Sequence, residues 1–254
     1  MAALPGIIKI LVMLFFVMVE QWARRRYWRL KEKCIEDFAE RLESYEDYHV
    51  DEEDLEEIRE MNECVLDFLD KYAKLSAGAM DDYEVEKFYK QTVEMLEDAI
   101  RTKKWQYEIA MERLDEIEEH FTEEMEIACD ADSEYYYPEA CREVKEKIEE
   151  VKVVREKLKK AEKEDMFVMR ARLKACRAAK TRAEKIICID SVAGLVHARG
   201  SVLPLMCGVP LEEFIHEAFF GEISEEERGA RAVAVDVAKE VMDVLTCIRN
   251  FREG

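Results

Sequence analysis

The chain has 254 residues, of which 49% are hydrophobic and 39% charged. That is length for one or two cores, too apolar for a disordered polymer, and a charge load well above the usual quarter. The formal net charge of -20 opposes nucleic-acid binding by the chain as a whole, because phosphates repel it, and suits cationic partners.

The first element is the apolar run from Ile7 to Val19, interrupted only by Lys9. From Ala2 to Val19 a helix would be about 27 Å long, against a hydrocarbon core of about 30 Å, so it spans if Lys9 snorkels to the near surface. Its apolar residues go all round: Ile7, Leu11, Leu14, Phe15 and Met18 on one side, Ile10, Val12, Met13, Phe16 and Val17 on the other. An amphipathic core helix would show a polar face. The flank carries interfacial aromatics (Trp22, Tyr27, Trp28) and a basic collar, Arg24, Arg25, Arg26, Arg29, Lys31 and Lys33. Positive charge after the run places the C-terminal bulk in the cytoplasm. A cleaved signal peptide has its charge before the run and small residues at the cut, and neither is evident. The competing reading is a helix buried against other subunits or copies. The collar also suits anionic lipid headgroups.

After the collar, the spans 7–77, 79–137 and 139–193 contain neither glycine nor proline and read as long helices. Leu55, Ile58, Val65, Phe68, Tyr72 and Leu75 share one face, with Asp51 as N-cap and Gly78 as the stop. Val85, Tyr89, Thr92, Leu96 and Ala99 begin a second stripe. It resumes at Ala110, Leu114, Ile117, Phe121 and Met125 after an interruption at Lys103 and Gln106. Pro138 suits the first turn of a further helix, lined by Cys141, Val144, Ile148, Val151, Val154, Leu158 and Ala161. The short joint "DADSEYYYP" between these two helices predicts an antiparallel coiled-coil-like hairpin, an arm of roughly 70 Å. A bent arm folded into a compact bundle is the alternative. Tyr135, Tyr136 and Tyr137 fall at its tip, where exposed aromatics either anchor a partner or staple the turn.

"MRARLKACRAAKTRAEK", 169–185, carries seven basic residues, Arg170, Arg172, Lys174, Arg177, Lys180, Arg182 and Lys185, against Glu184. It reads as a cationic face for phosphates, headgroups or an acidic partner, or as one neutralised internally by the acid-rich segment 34–75. The neutralised reading is preferred, because the chain supplies its own counter-charge. From Gly194 the chain turns irregular, followed by a short helix at 211–220 and a last helix whose Val233, Val237, Val241, Val244 and Ile248 face the core.

The eight cysteines show neither C-x-x-C nor zinc-finger spacing. In a long helical chain they read as free buried thiols in a reducing compartment. Cys129 and Cys141 flank the hairpin turn and are the pair to expect bridged if the arm were extracytoplasmic. Together with the twelve methionines, free cysteines also argue against heat adaptation as the reason for the charge load.

No phosphate loop, dinucleotide fingerprint or nucleophile elbow occurs. Two Glu-x-x-His pairs, Glu46 with His49 and Glu213 with His216, are the only hint of a bundle metal site, and chance accounts for both in so acidic a chain. Ser191 and His197, close in sequence, carry no sign of a triad. The sequence therefore implies an all-α chain in three parts: anchor and collar (1–33), long helices with the hairpin (34–193) and a C-terminal cap (194–254). Its expected role is non-catalytic, without cofactor or metal: a single-pass membrane-anchored scaffold or assembly protein that binds protein partners or itself. The alternative is an accessory subunit of a larger complex whose apolar helix packs on other subunits. A bundle metalloenzyme or a nucleic-acid binder through 169–185 ranks below both.

Overall fold

The structure is a computed structural model that describes residues 4–44, 52–130, 137–199, 202–208 and 230–253. Every element among them is an α-helix: α1 (Leu4–Cys34), α2 (Glu36–Ser44), α3 (Glu52–Ser76), α4 (Asp82–Ala128), α5 (Pro138–Arg177), α6 (Arg182–Ala198), α7 (Val202–Met206) and α8 (Ala230–Glu253). The all-α expectation holds for the described residues.

The ends of these helices follow local chemistry. Behind α3, Gly78 takes φ +74°, and the amides of Gly78 and Ala79 bond back to the carbonyls of Leu75 and Lys74. Such a left-handed cap favours glycine. Asp81 and Glu84 form a reciprocal capping box at the start of α4, and Thr181 and Glu184 do the same for α6. The proline-started helix is α5, with Tyr137 as its N-cap. The basic stretch 169–185, read as one helical face, is in fact a corner: α5 ends at Arg177, and α6 begins after the Thr181 cap.

The body of the molecule is one core built by α1 from Ala23 on, α2, α3, α6, α7, α8 and the near halves of α4 and α5. Leu30, Phe38, Leu42, Ile58, Phe68, Leu69, Phe88, Leu96, Met169, Val192 and Val241 are buried together in it. Of the stripe foreseen on α3, Ile58, Val65, Phe68, Tyr72 and Leu75 are buried and Leu55 is half-buried, and Val237, Val241, Val244 and Ile248 of α8 lie in the same core; Asp51 and the Val233 side chain lie outside the described residues. Phe68 packs edge-on against Phe88, joining α3 to α4.

α4 and α5 then run on as the antiparallel hairpin. Their outer part has its own small core, Tyr107, Ala110, Leu114, Val151 and Leu158, made of these two helices alone. Arg155 ties it from the side, with pairs to Asp115 (2.6 Å) and Glu118. Lys103 and Gln106, which break the stripe, do not break the helix: α4 runs unbroken through both, and both are buried.

The largest correction concerns the cysteines. All eight are paired, as Cys34–Cys247, Cys64–Cys207, Cys129–Cys141 and Cys176–Cys188, with Cα–Cα distances of 5.0–5.8 Å. Free thiols are overturned because antiparallel helices bring distant positions face to face, which sequence spacing does not display. Two bridges staple the turns after α4 and α5. The other two tie the α1 and α3 layer to α8 and to the turn after α7.

Candidate functional site

The described side chains of α1 begin at Val12. Each of Val12, Met13, Leu14, Phe15, Phe16, Val17, Met18 and Val19 is 44–68% exposed. Eight consecutive positions cover more than two helical turns, so this part of α1 touches the body on no side. Packing begins only at Ala23, whose small side chain is buried. Of Ile7 and Leu11 only the helical backbone is described. Among the described residues no helix is long and apolar enough to cross a membrane, so the expected transmembrane span is not carried by the structure. The apolar run ends at Glu20 and Gln21, and the charged collar follows directly.

Below this exposed run the collar divides by helical period. One side faces the body: Tyr27 donates to Asp70 at 2.7 Å, and Lys31 pairs with Asp70 at 2.9 Å. Arg26 leans on the C-terminal end of α8, donating to the Phe251 and Arg252 carbonyls, both at 3.3 Å. Its guanidinium also stands over the Trp22 ring (5.4 Å) and the Phe251 ring (5.8 Å). A cation at the negative end of a helix dipole is a favourable arrangement. Arg24 is spent on Glu20 at 2.6 Å, one turn back. Trp28 stays exposed, with Lys31 over its ring.

Arg25, Arg29 and Lys33 repeat every four residues on another side of α1 and are exposed. With Trp22, Arg26 and the α8 residues Asn250, Phe251 and Arg252 they line a cavity of about 800 Å³. Of its eight described lining residues five are cationic and none is acidic, in a chain whose net charge is -20. Arg252 is committed to Asp190 through two 3.0 Å bonds, which hold its guanidinium above its ordinary range. Arg25, Arg29 and Lys33 have no carboxylate partner among the described residues. The Cys34–Cys247 bridge sits one residue past Lys33 and three before Asn250, and clamps the two walls together.

The other predicted surfaces are dispersed. Arg177 pairs with Glu97 at 2.9 Å, Arg182 with Asp82 at 2.6 Å and Lys185 with Glu86. Among the described residues the counter-charge of the 169–185 stretch thus comes from α4, not from segment 34–75, because α4 is the helix that lies beside this corner. Arg170, Arg172, Lys174 and Lys180 keep exposed side chains. Arg170 and Lys174 border a shallow groove of about 670 Å³ with the exposed Phe167. At the tip, Tyr137 is 64% exposed, while Tyr135 and Tyr136 lie outside the described residues. So do Glu46, His49, Glu213 and His216. Among the described residues no cluster could hold a metal ion. His197 meets Thr246 at 2.9 Å, and Ser191 donates to the Cys188 carbonyl, so the two form no dyad.

A second polar cluster, at the root of the arm, was legible only as the two residues that break the stripe. Lys103 is 5% exposed with its ammonium 3.5 Å from Asp165, and Tyr107 donates to the same carboxylate at 2.8 Å. Arg199 closes on the other Asp165 oxygen. Burial and the neighbouring Arg199 push Lys103 down to about 8, and burial pushes Tyr107 up to about 12. The buried Gln106 amide has no hydrogen-bond partner among the described residues. The cluster locks α5 and the end of α6 to one register of α4, the best-attested use of buried ionic groups. Comparison with protein-family models, curated proteins and solved structures finds no match.

Proposed function

We propose that the chain is a non-catalytic scaffold anchored to a membrane by α1, holding protein partners or copies of itself at a distance from the bilayer on its helical arm. One observation carries this reading: eight successive apolar side chains, Val12 to Val19, stand exposed on every side of the helix. A helix docking on one protein surface needs one apolar stripe, whereas a helix apolar all round needs an apolar medium or neighbours all round. The sequence continues the run upstream through Ile7, Ile8, Ile10 and Leu11, and the collar and tryptophans follow it as an interfacial belt.

Two observations bear on the side of the membrane. By the positive-inside rule, the collar after the run favours a cytoplasmic bulk. Four disulfides are the habit of oxidising compartments, and also of intracellular proteins in hyperthermophiles. Both are met together by the cytoplasmic face of a heat-adapted cell. The 39% of charged residues and the many ion pairs fit that setting, and cysteines locked in bridges remove their part of the objection to it.

The test is alkaline carbonate washing of membranes carrying the full chain or one lacking residues 2–19, with protease protection to read the side. The full chain should stay in the pellet, with its bulk digested from the cytoplasmic side, and the truncated chain should be soluble and equally helical. A full chain that washes off shows that other subunits cover the run, and the accessory-subunit reading takes its place.

A further inference from the structure

We propose that the cavity between α1 and the C-terminal end of α8 binds a phosphomonoester lipid headgroup, phosphatidic acid in type. The inference rests on the anchored reading of α1 and adds to it a ligand class. Depth is the first argument. Counted from Val19 at 1.5 Å per residue, Trp22 lies about 5 Å, Arg25 about 9 Å, Arg29 about 15 Å and Lys33 about 21 Å further along the axis. The headgroup layer is about 5–8 Å thick on each side of the hydrocarbon. Trp22 is therefore at headgroup depth when Val19 marks the hydrocarbon edge, and the Arg25 side chain can snorkel back to the same layer.

Charge is the second argument. Of the five cations on the cavity, Arg26 is occupied by the α8 carbonyls and two rings, and Arg252 by Asp190. Arg25, Arg29 and Lys33 remain, with no acidic residue among the described lining residues. Lys33, about 21 Å along the axis, lies past the headgroup layer and adds only its field, so the headgroup meets Arg25 and, at full reach, Arg29; a phosphodiester brings one negative charge to these two guanidinium groups. A phosphomonoester carries about two near neutral pH and three strong acceptor oxygens, the better match to guanidinium forks. Rigidity is the third. The Cys34–Cys247 bridge holds the α8 wall against α1, so this is a shaped site and not only a basic stripe.

The experiment is flotation of the full chain with three kinds of vesicle: phosphatidylcholine alone, with phosphatidic acid, and with phosphatidylglycerol at matched zeta potential. The chain should float with all three and prefer phosphatidic acid over matched phosphatidylglycerol by about fivefold, the worth of one basic residue at an anionic surface. Combined R25Q, R29Q and K33Q substitution should erase that preference and leave flotation with phosphatidylcholine intact. Combined R170Q, R172Q and K174Q substitution, which removes equal charge elsewhere, should leave the preference in place. Equal partitioning at matched potential, or equal losses in both variants, overturns the proposal. If millimolar inorganic phosphate abolishes the preference, the cavity takes free phosphate, and the headgroup assignment falls. Absence of flotation with every vesicle is a different failure, that of the anchor itself.

Discussion

The Cys34–Cys247 bridge joins positions 213 residues apart, and removing it with Cys34→Ser and Cys247→Ser is the most informative perturbation of the fold. The Cys64–Cys207 bridge lies inside that loop. With the inner bridge intact, the outer one closes only the flanks 34–64 and 207–247, about 70 residues of independent chain, and the chain-entropy relation then gives about 4 kcal/mol. Removing Cys129–Cys141, which encloses a separation of 12, gives about 3 kcal/mol by the same relation, confined to the arm tip. Against a total stability of about 5–15 kcal/mol the first loss is large. Urea unfolding followed by circular dichroism reads both variants. The outer-bridge variant should lose more and show a steeper slope, because its denatured chain expands. The intact protein should unfold thermally above the roughly 65 °C reached by mesophile domains. The reasoning fails if the native, unreduced chain takes up alkylating reagent on its cysteines. A cost under about 1 kcal/mol for the outer bridge refutes it too, as does a larger cost for the tip bridge.

Other outcomes follow from the buried groups. The folded Lys103 releases its proton near pH 8, the unfolded one near 10.5, so between those values the unfolded state holds more protons and stability rises with pH. The rise totals about 3 kcal/mol, because a tenfold difference in proton affinity is worth about 1.4 kcal/mol. Above pH 10 the raised Tyr107 reverses the trend, because the unfolded tyrosine ionises first and folding then costs protonation. Lys103→Met should raise stability at neutral pH and flatten the slope between pH 8 and 10 in urea titrations, and an unchanged slope would show that another group is responsible. Leu158, fully buried in the arm's small core, should cost about 3 kcal/mol as Leu158→Ala, with hydrogen exchange accelerated in the outer arm more than in the body. Uniform acceleration would mean that arm and body unfold as one.

Much of the architecture is local and was open to reading. Breaker-free runs, periodic stripes, Pro138 at a first turn and Gly78 at a stop are determined by backbone sterics and helix period, which act over a few residues. The exposed helix of Val12 to Val19 was legible for the same reason, since a helix apolar on all sides announces itself without knowledge of its neighbours. The corner at 178–181 was missed because its signal, the Thr181–Glu184 capping box, sits inside a stretch dominated by basic charge.

Pairings between distant segments depend on how the helices lie against one another, and only the tertiary structure decided them. Cys34 meets Cys247, Arg177 meets Glu97 rather than the acids of 34–75, and Lys103 gains Asp165 from α5, whose other oxygen is held by Arg199 at the end of α6. The cationic cavity is the clearest instance: the collar is contiguous in sequence, but Asn250, Phe251 and Arg252 complete it from more than 200 residues away. Helix periodicity says which face of a helix is apolar and nothing about which helix will cover it. That choice belongs to the packing of the whole chain, where burial, bridges and ion pairs are satisfied together.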